Sequence, residues 1–325
     1  MWRAPDGRAS LRDLREYRRT QRADEERDFA VKAALECAPC FIRQALDAAR
    51  MATDDETVHE QVVREALRLA AEFRFDQTPV HISRPIHAAV RNYSGCADPY
   101  REVKQQSNTF ALGLYPEMNA VIDESASPFE TAVRLAIAGN IIDFGVMNPA
   151  DLDCVHETVE HALKAPLDIA LVERMGQAVQ EAHDILYLAD NAGEIVFDRL
   201  LLERMPLDKI TVVVRGEPII NDATMDDARA VGLTEIVNVI ESGTTYAGTI
   251  LETCSDTFRE RFARSDLVIA KGQGNYEALN DADKPAFFLL KAKCAVVARH
   301  LHCAVGDIVL AATPAVLAMS KADRA

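Results

Sequence analysis

The sequence predicts an α/β protein in which an N-terminal helical domain precedes a doubly wound, mostly parallel sheet domain. Three observations carry that prediction. The first half shows helical periodicity and almost no strand signal. From about residue 183, short apolar runs alternate with helical stretches, the pattern of parallel strands joined by crossovers. Polar motifs collect at the ends of those runs, where ligands bind in open α/β sheets.

Residues 1–30 hold eight arginines among seven acids and no apolar stripe, which reads as a solvated charged arm. Residues 31–165 read as the helical domain. Thr53 and Glu56 have capping-box spacing, and Val58, Val62, Ala66, Leu69, Ala70 and Phe73 follow at helical intervals. Ser83 with Pro85, and Ser127 with Pro128, read as further helix starts. Residues 166–325 read as the α/β domain. The strand candidates are "DILYLA", "ITVVV", "EIVNVI", "DLVIA" and "CAVVA", with "AFFLL" before Lys291, giving a Rossmann-like sheet covered on both faces.

The chain has 325 residues, 49% of them hydrophobic, enough for one large or two ordinary cores. No apolar run approaches the roughly 18 residues of a membrane span, and the opening stretch lacks a signal peptide's apolar core; the expectation is a cytoplasmic protein with no membrane partner. A net charge of −15 disfavours nucleic acid as a partner. The seven cysteines are irregularly spaced and do not form a disulfide framework. Cys37 and Cys40 are the one close pair; with no second pair following, they read as packed thiols, with half of a zinc site or a redox pair as the other readings.

Four strand ends carry the polar motifs. "ILYLA" leads to Asp190-Asn191, "ITVVVRG" to Asn221-Asp222, "EIVNVI" to "ESGTTYAGT", and "DLVIA" to "KGQGNYE". Asp190, Asn191 and Asp222 offer hard oxygen ligands suited to Mg²⁺ or Mn²⁺; helix capping is the competing role for Asp190. In "DNAGE", Gly193 and Glu194 open a helix whose N–H groups favour an anion. Ser242 and Gly243 begin a hydroxyl-rich loop that could cradle another. In "KGQGN", from Lys271 and Gly272 to Asn275, the third position of a dinucleotide fingerprint is Glu277, which argues against NAD. Lys271 reads as a phosphate cation or a solvated lysine. Lys291 and Lys293 sit in an apolar run and need an anion or a path to water. Metal, helix N-terminus and lysine together describe phosphoryl transfer to water.

On "DNAGEIVFD", "INDAT", "ESG" and "KGQGN", with "DPYREVKQQSN" and "AIAGNIIDFG" in the helical half, the chain resembles the metal-dependent damage-control phosphatases, once known only as a domain of unknown function. The resemblance spans about Cys37 to Ala311. It implies a phosphomonoesterase using Mn²⁺, Mg²⁺, Co²⁺ or Ni²⁺ on a small phosphorylated metabolite. The metal ligands it implies are Asp190, Asn191 and Asp222, with Asp190 also catalytic. Asn140 and Asp143 would face the site from the helical half. The family's late lysine matches Lys291 as a catalytic cation, with Lys293 two residues away. "KGQGN" and the early Cys-x-x-Cys resemble the archaeal and bacterial branch. Two other functions stand beside this one: an S-adenosylmethionine-dependent carboxyl methyltransferase, and a non-catalytic metal- or metabolite-binding protein.

Overall fold

The structure, a computed structural model, describes residues 30–139 and 152–316. The charged arm falls almost wholly outside the described residues, as do Asn140 and Asp143.

Three helices come first among the described residues: α1 (Cys37–Ala52), α2 (Glu56–Glu72) and α3 (Ser83–Ser94). In α1, Cys37, Phe41, Ala45, Ala48 and Ala49 are buried, a spacing that keeps them on one face. They share a core with Val62 and Ala66 of α2 and Ile86 and Val90 of α3. Helix α2 is capped by Asp55, whose Oδ1 accepts the Thr57 N–H at 2.8 Å. The expected cap, Thr53, instead accepts the Asp55 N–H at 3.2 Å, so the start lies two residues later than the capping-box spacing suggests.

Next come α4 (Arg101–Asp123), α5 (Pro128–Gly139), α6 (Leu152–Lys164) and α7 (Ile169–Glu181). Pro128 occupies the first position of α5, where its missing N–H costs nothing. The cores do not divide at residue 165. Buried residues of α4 to α7 belong to one core with the sheet, whereas the separate helical core is formed by residues between Ala33 and Tyr100.

The sheet contains β1 (Ile185–Leu188), β2 (Ile210–Val214), β3 (Asn238–Glu241), β4 (Leu267–Lys271), β5 (Ala286–Lys291) and β6 (Ile308–Ala312), in the order β3-β2-β1-β4-β5-β6. Strands β1 to β5 are parallel and β6 is antiparallel to β5. Interleaved are α8 (Glu194–Leu202), α9 (Met225–Ala230), α10 (Asp256–Arg264), α11 (Gly272–Leu279) and α12 (Ala295–Leu301). Strand alternation sorts the side chains. Ile185 and Tyr187 join the core shared with α4, α5, α7 and α8; Leu186 and Leu188 join the core of α10, α11 and α12.

"CAVVA" is the start of α12, not a strand. A run that short fits either state, and here it continues into "RHL". The sixth strand lies further on and is pinned beside β5 by Gly306 N–H to Ala292 O at 2.8 Å and Ala292 N–H to Asp307 O at 3.0 Å.

The chain leaves β1 for β2 and β3 on one side, then returns to β4 on the other. Between β1 and β4 this reversal opens a crevice at the carboxyl edge, the place where such sheets bind ligands. Among the described residues no helix is long and apolar enough to cross a membrane, and the described cysteines are all free thiols.

Candidate active site

Two loops at the carboxyl edge are joined to each other by backbone bonds. Ala223 N–H donates to Asp190 O at 2.7 Å, and Ala192 N–H to Asn221 O at 2.9 Å. Asn191 and Asp222 consequently form an isolated antiparallel bridge between the ends of β1 and β2. Asp190 and Asp222 are both buried. The Asn191 amide donates to Asp190 Oδ2 and Glu194 Oε2, each at 2.9 Å.

Burial, then repulsion by Glu194 and Asp222, pushes the Asp190 carboxyl up to about 8, against the pull of Lys293 and Arg215. Burial also raises Asp222, although Arg215 opposes it. These buried acids crowd one another as a cation site would require. Among the described residues no three His, Cys, Asp or Glu side chains form a ready-made metal cage. Two carboxylates and a carboxamide suit instead a small hard cation that keeps water and substrate oxygens in its shell.

Beneath this set lies Lys271, fully buried at the end of β4. Its ammonium donates to Ala136 O at 2.8 Å, to Glu194 Oε1 at 2.7 Å and to Asp198 Oδ1. Burial works against the Lys271 charge, but Asp198 and Glu194 outweigh it and hold its pKa above the ordinary lysine value. Its three donors are committed, so Lys271 is neither solvated nor presented to a phosphate. Glu194 likewise forms the floor, tying Lys271 to Asn191.

At the end of β2, Arg215 plays a lateral part. Its Nε donates to Asp222 Oδ2 at 2.7 Å, Nη1 to Thr249 Oγ1 at 3.2 Å and Nη2 to Asn275 Oδ1 at 3.1 Å. Asn275 in turn donates to Ala189 O and Lys271 O, so it braces β1 and β4 and does not face a ligand. Arg215 escaped the sequence reading, although a signal was present: "VVVRG" and "VIAKG" both end a buried strand on a cation and a glycine.

Other expected substrate contacts are also structural. The Gly193 N–H, at φ 78°, donates to Asn108 Oδ1 at 2.7 Å, not into the crevice. Asn108 Nδ2 donates to Asp227 Oδ1 at 2.9 Å, and Lys104 bridges Asp227 and Asp98, so "DPYREVKQQSN" latches α4 to the site. Lys104 and Asn108 are one helical turn apart, a legible sign of a shared face. Ser242 is fully buried and Gly243 packs on Gly216 and Ser255, away from the crevice. Gly272 has φ 77°, and a Cβ there would collide with the Asp190 carboxylate, so this glycine is what allows β4 to approach Asp190.

A cavity of about 430 Å³ lies beside Lys104, Asn108 and Asp227. A different one, of about 460 Å³, opens onto Asp190, Asn191 and Asp222. It is lined by Lys293 and not by Lys291. Strand β5 stays paired, Lys291 opposite Ile308, through its last residue, and two more residues are needed to reach the edge. Gln273 Oε1 accepts the Lys293 N–H at 2.9 Å, fixing that loop. Cys37, Cys40 and Cys294, distant in sequence, line the same cavity.

Residues 33–309 match the damage-control phosphatase ARMT1-like domain. A damage-control phosphatase of Archaeoglobus fulgidus is 37% identical over 281 residues, 84% of this chain and 96% of that protein. One from Pyrococcus horikoshii is 37% identical over 285 residues, 86% of this chain and 97% of that protein. A crystal structure of a DUF89 family protein from Pyrococcus horikoshii superposes with a TM-score of 0.76 at 36% identity, covering 86% of this chain and 98% of that one. The chain belongs to the ARMT1-like damage-control phosphatase domain family.

Proposed function

We propose that this chain is a divalent-metal-dependent phosphomonoesterase acting on a small phosphorylated metabolite. The observation that carries the reading is the meeting of Asp190, Asn191 and Asp222 at the mouth of a cavity that Lys293 also lines. Asp190, Asp222 and the Asn191 carbonyl oxygen would hold Mg²⁺, Mn²⁺, Co²⁺ or Ni²⁺. Such an ion supplies Lewis-acid polarisation of the phosphoryl group and a more acidic water.

The remaining roles belong to the chain. Lys293 draws the phosphate into the cavity and offsets charge on its oxygens. Arg215 fixes the Asp222 carboxylate, and Lys271 fixes Glu194, which orients the Asn191 amide. Water's oxygen bonds to phosphorus, the P–O ester bond breaks, and the alcohol leaves carrying a proton.

The test is phosphate release from a panel of phosphomonoesters with chelator, then after adding back each metal. Activity should vanish with chelator and return with metal. Asp222→Ala should be inactive with an unchanged circular dichroism spectrum. Full activity in Asp222→Ala, or methyl transfer from labelled S-adenosylmethionine without phosphate release, would reject the reading.

A further inference from the structure

Beyond the phosphate end, the cavity has an apolar wall. Phe41, Val80 and Ile82 from the helical half are buried there, and Ile220 and Val296 pack against the same helical core. Several polar groups on this side are already committed. The Ser83 hydroxyl donates to Val80 O at 2.8 Å and accepts the Ala247 N–H at 3.2 Å. Gln273 donates to Glu277 at 2.8 Å and accepts from Lys293 at 2.9 Å. Burial raises the Cys37 and Cys40 thiols, so they stay uncharged at neutral pH. What is left is two amides, Gln44 and Asn221, and the carboxyl groups of Glu36, paired with Arg299 at 3.0 Å, and of Glu277, which accepts from Gln273. A sugar phosphate would bury several hydroxyls against this wall with few partners, and unpaired buried hydroxyls are costly.

Ile220 is the second observation. Its φ is 47°, in the left-handed region that a β-branched residue rarely enters. Glycine or asparagine would sit there with less strain. Strain of this kind persists where surrounding structure holds it, and it gathers at ligand sites. Here it sits two residues before Asp222 and sets an isobutyl-sized side chain between the cavity and the helical core.

Resting on the phosphatase reading, we infer that the site selects phosphomonoesters whose organic part is compact and apolar, with Ile220 as the specificity-determining residue. Phosphate and metal ligands occupy one end, and the apolar group lies against Ile220, Phe41 and Val296.

The experiment measures calorimetric Kd in the presence of Mn²⁺ for phenylphosphonate, which cannot be hydrolysed, and for ribose 5-phosphate. Turnover of phenyl phosphate and ribose 5-phosphate is measured in parallel. Phenylphosphonate should bind at least about 10-fold tighter. Ile220→Asn, which accepts the same backbone conformation, should narrow that ratio by about 10-fold through loss of the apolar ligand, and Ile220→Val should keep it. A residue that only packs the core would change stability and leave the ratio alone. Equal or tighter ribose 5-phosphate binding, an unchanged ratio in Ile220→Asn, or no binding of either probe overturns the proposal. Failure of the phosphatase reading has a different signature: the binding preference holds while no ester is turned over.

Discussion

Two strands end on a buried cation followed by glycine, and the two cations do different work. Lys271 closes β4 as a point charge with three donors, and three acceptors converge on it from α5 and α8. Arg215 closes β2 as a flat fork, linking Asp222, Thr249 and Asn275 across three segments. The lysine neutralises a pair of acids beneath the site; the arginine aims one acid into it. Strand-end position alone therefore does not assign a cation's role. The geometry of its donors does.

The comparison breaks most visibly at Lys271. Lys271→Met leaves Glu194 and Asp198 buried without their cation, and the expected loss is about 3–5 kcal/mol of unfolding free energy in denaturant titrations. Lys271→Arg should not rescue it, because a planar fork does not match three acceptors arranged around one nitrogen. A loss below about 1 kcal/mol would mean that the acids become protonated and bury as neutral groups.

Glu277 supplies the contrast of a buried acid with no such cage, hydrogen-bonded by the neutral Gln273 amide. Burial raises its carboxyl from 4.5 to about 7. Between those values the folded chain binds the extra proton, so the contribution of Glu277 to stability falls as pH rises from about 4.5 to 7 and then levels off. Glu277→Gln has nothing to ionise. Its stability relative to wild type should climb over that window by up to about 3 kcal/mol. Melting curves at pH 5 and pH 8 read the difference, and a pH-independent gap would show that Glu277 finds a cation after all.

Lys293 is the cation that faces the cavity, in contrast to both buried ones. Lys293→Met should lower kcat by roughly 10²-fold with little change in stability. Lys291→Met should leave kcat within about threefold of wild type. Steady-state kinetics on one substrate, with the metal saturating, separates the two.

That pair shows where the sequence was legible and where it was not. β1, β2 and β4 could be read because each apolar run stops at a polar residue. The same abrupt change exposed Asp190, Asn191 and Asp222. Lys291 and Lys293 share a strand parity, so alternation could not choose between them; the choice depends on where pairing with β6 ends. "CAVVA" failed for a related reason, since a short β-branched run lacks the length that separates strand from helix. The partners of Lys271 were invisible because Ala136, Glu194 and Asp198 come from two helices that only the fold brings to β4. Gly193, Ser242, Gly243 and Asn275 have the residue types of a phosphate cradle. Glycine and asparagine also serve close packing and loop bracing, and the structure uses Gly193, Gly243 and Asn275 for that, while the Ser242 side chain is simply buried.

The smallest expected effect tests how Arg215 is held. Thr249 Oγ1 accepts from Arg215 Nη1 at 3.2 Å and donates to Asn275 Oδ1 at 2.8 Å. Thr249→Val keeps the shape and removes the hydroxyl. One buried guanidinium N–H then lacks a partner, which should cost about 1.5 kcal/mol in denaturant titrations. The Nε bond to Asp222 is shorter, charge-assisted and untouched, so kcat should fall by less than about threefold. The Lys271 cage offers no equivalent test, because one of its acceptors is the Ala136 backbone carbonyl, which no substitution removes. If Thr249→Val instead weakens metal-dependent activity by 10-fold or more without a matching loss of stability, the aim of Asp222 is set by the whole fork, and the lateral network belongs to the catalytic geometry and not only to the fold.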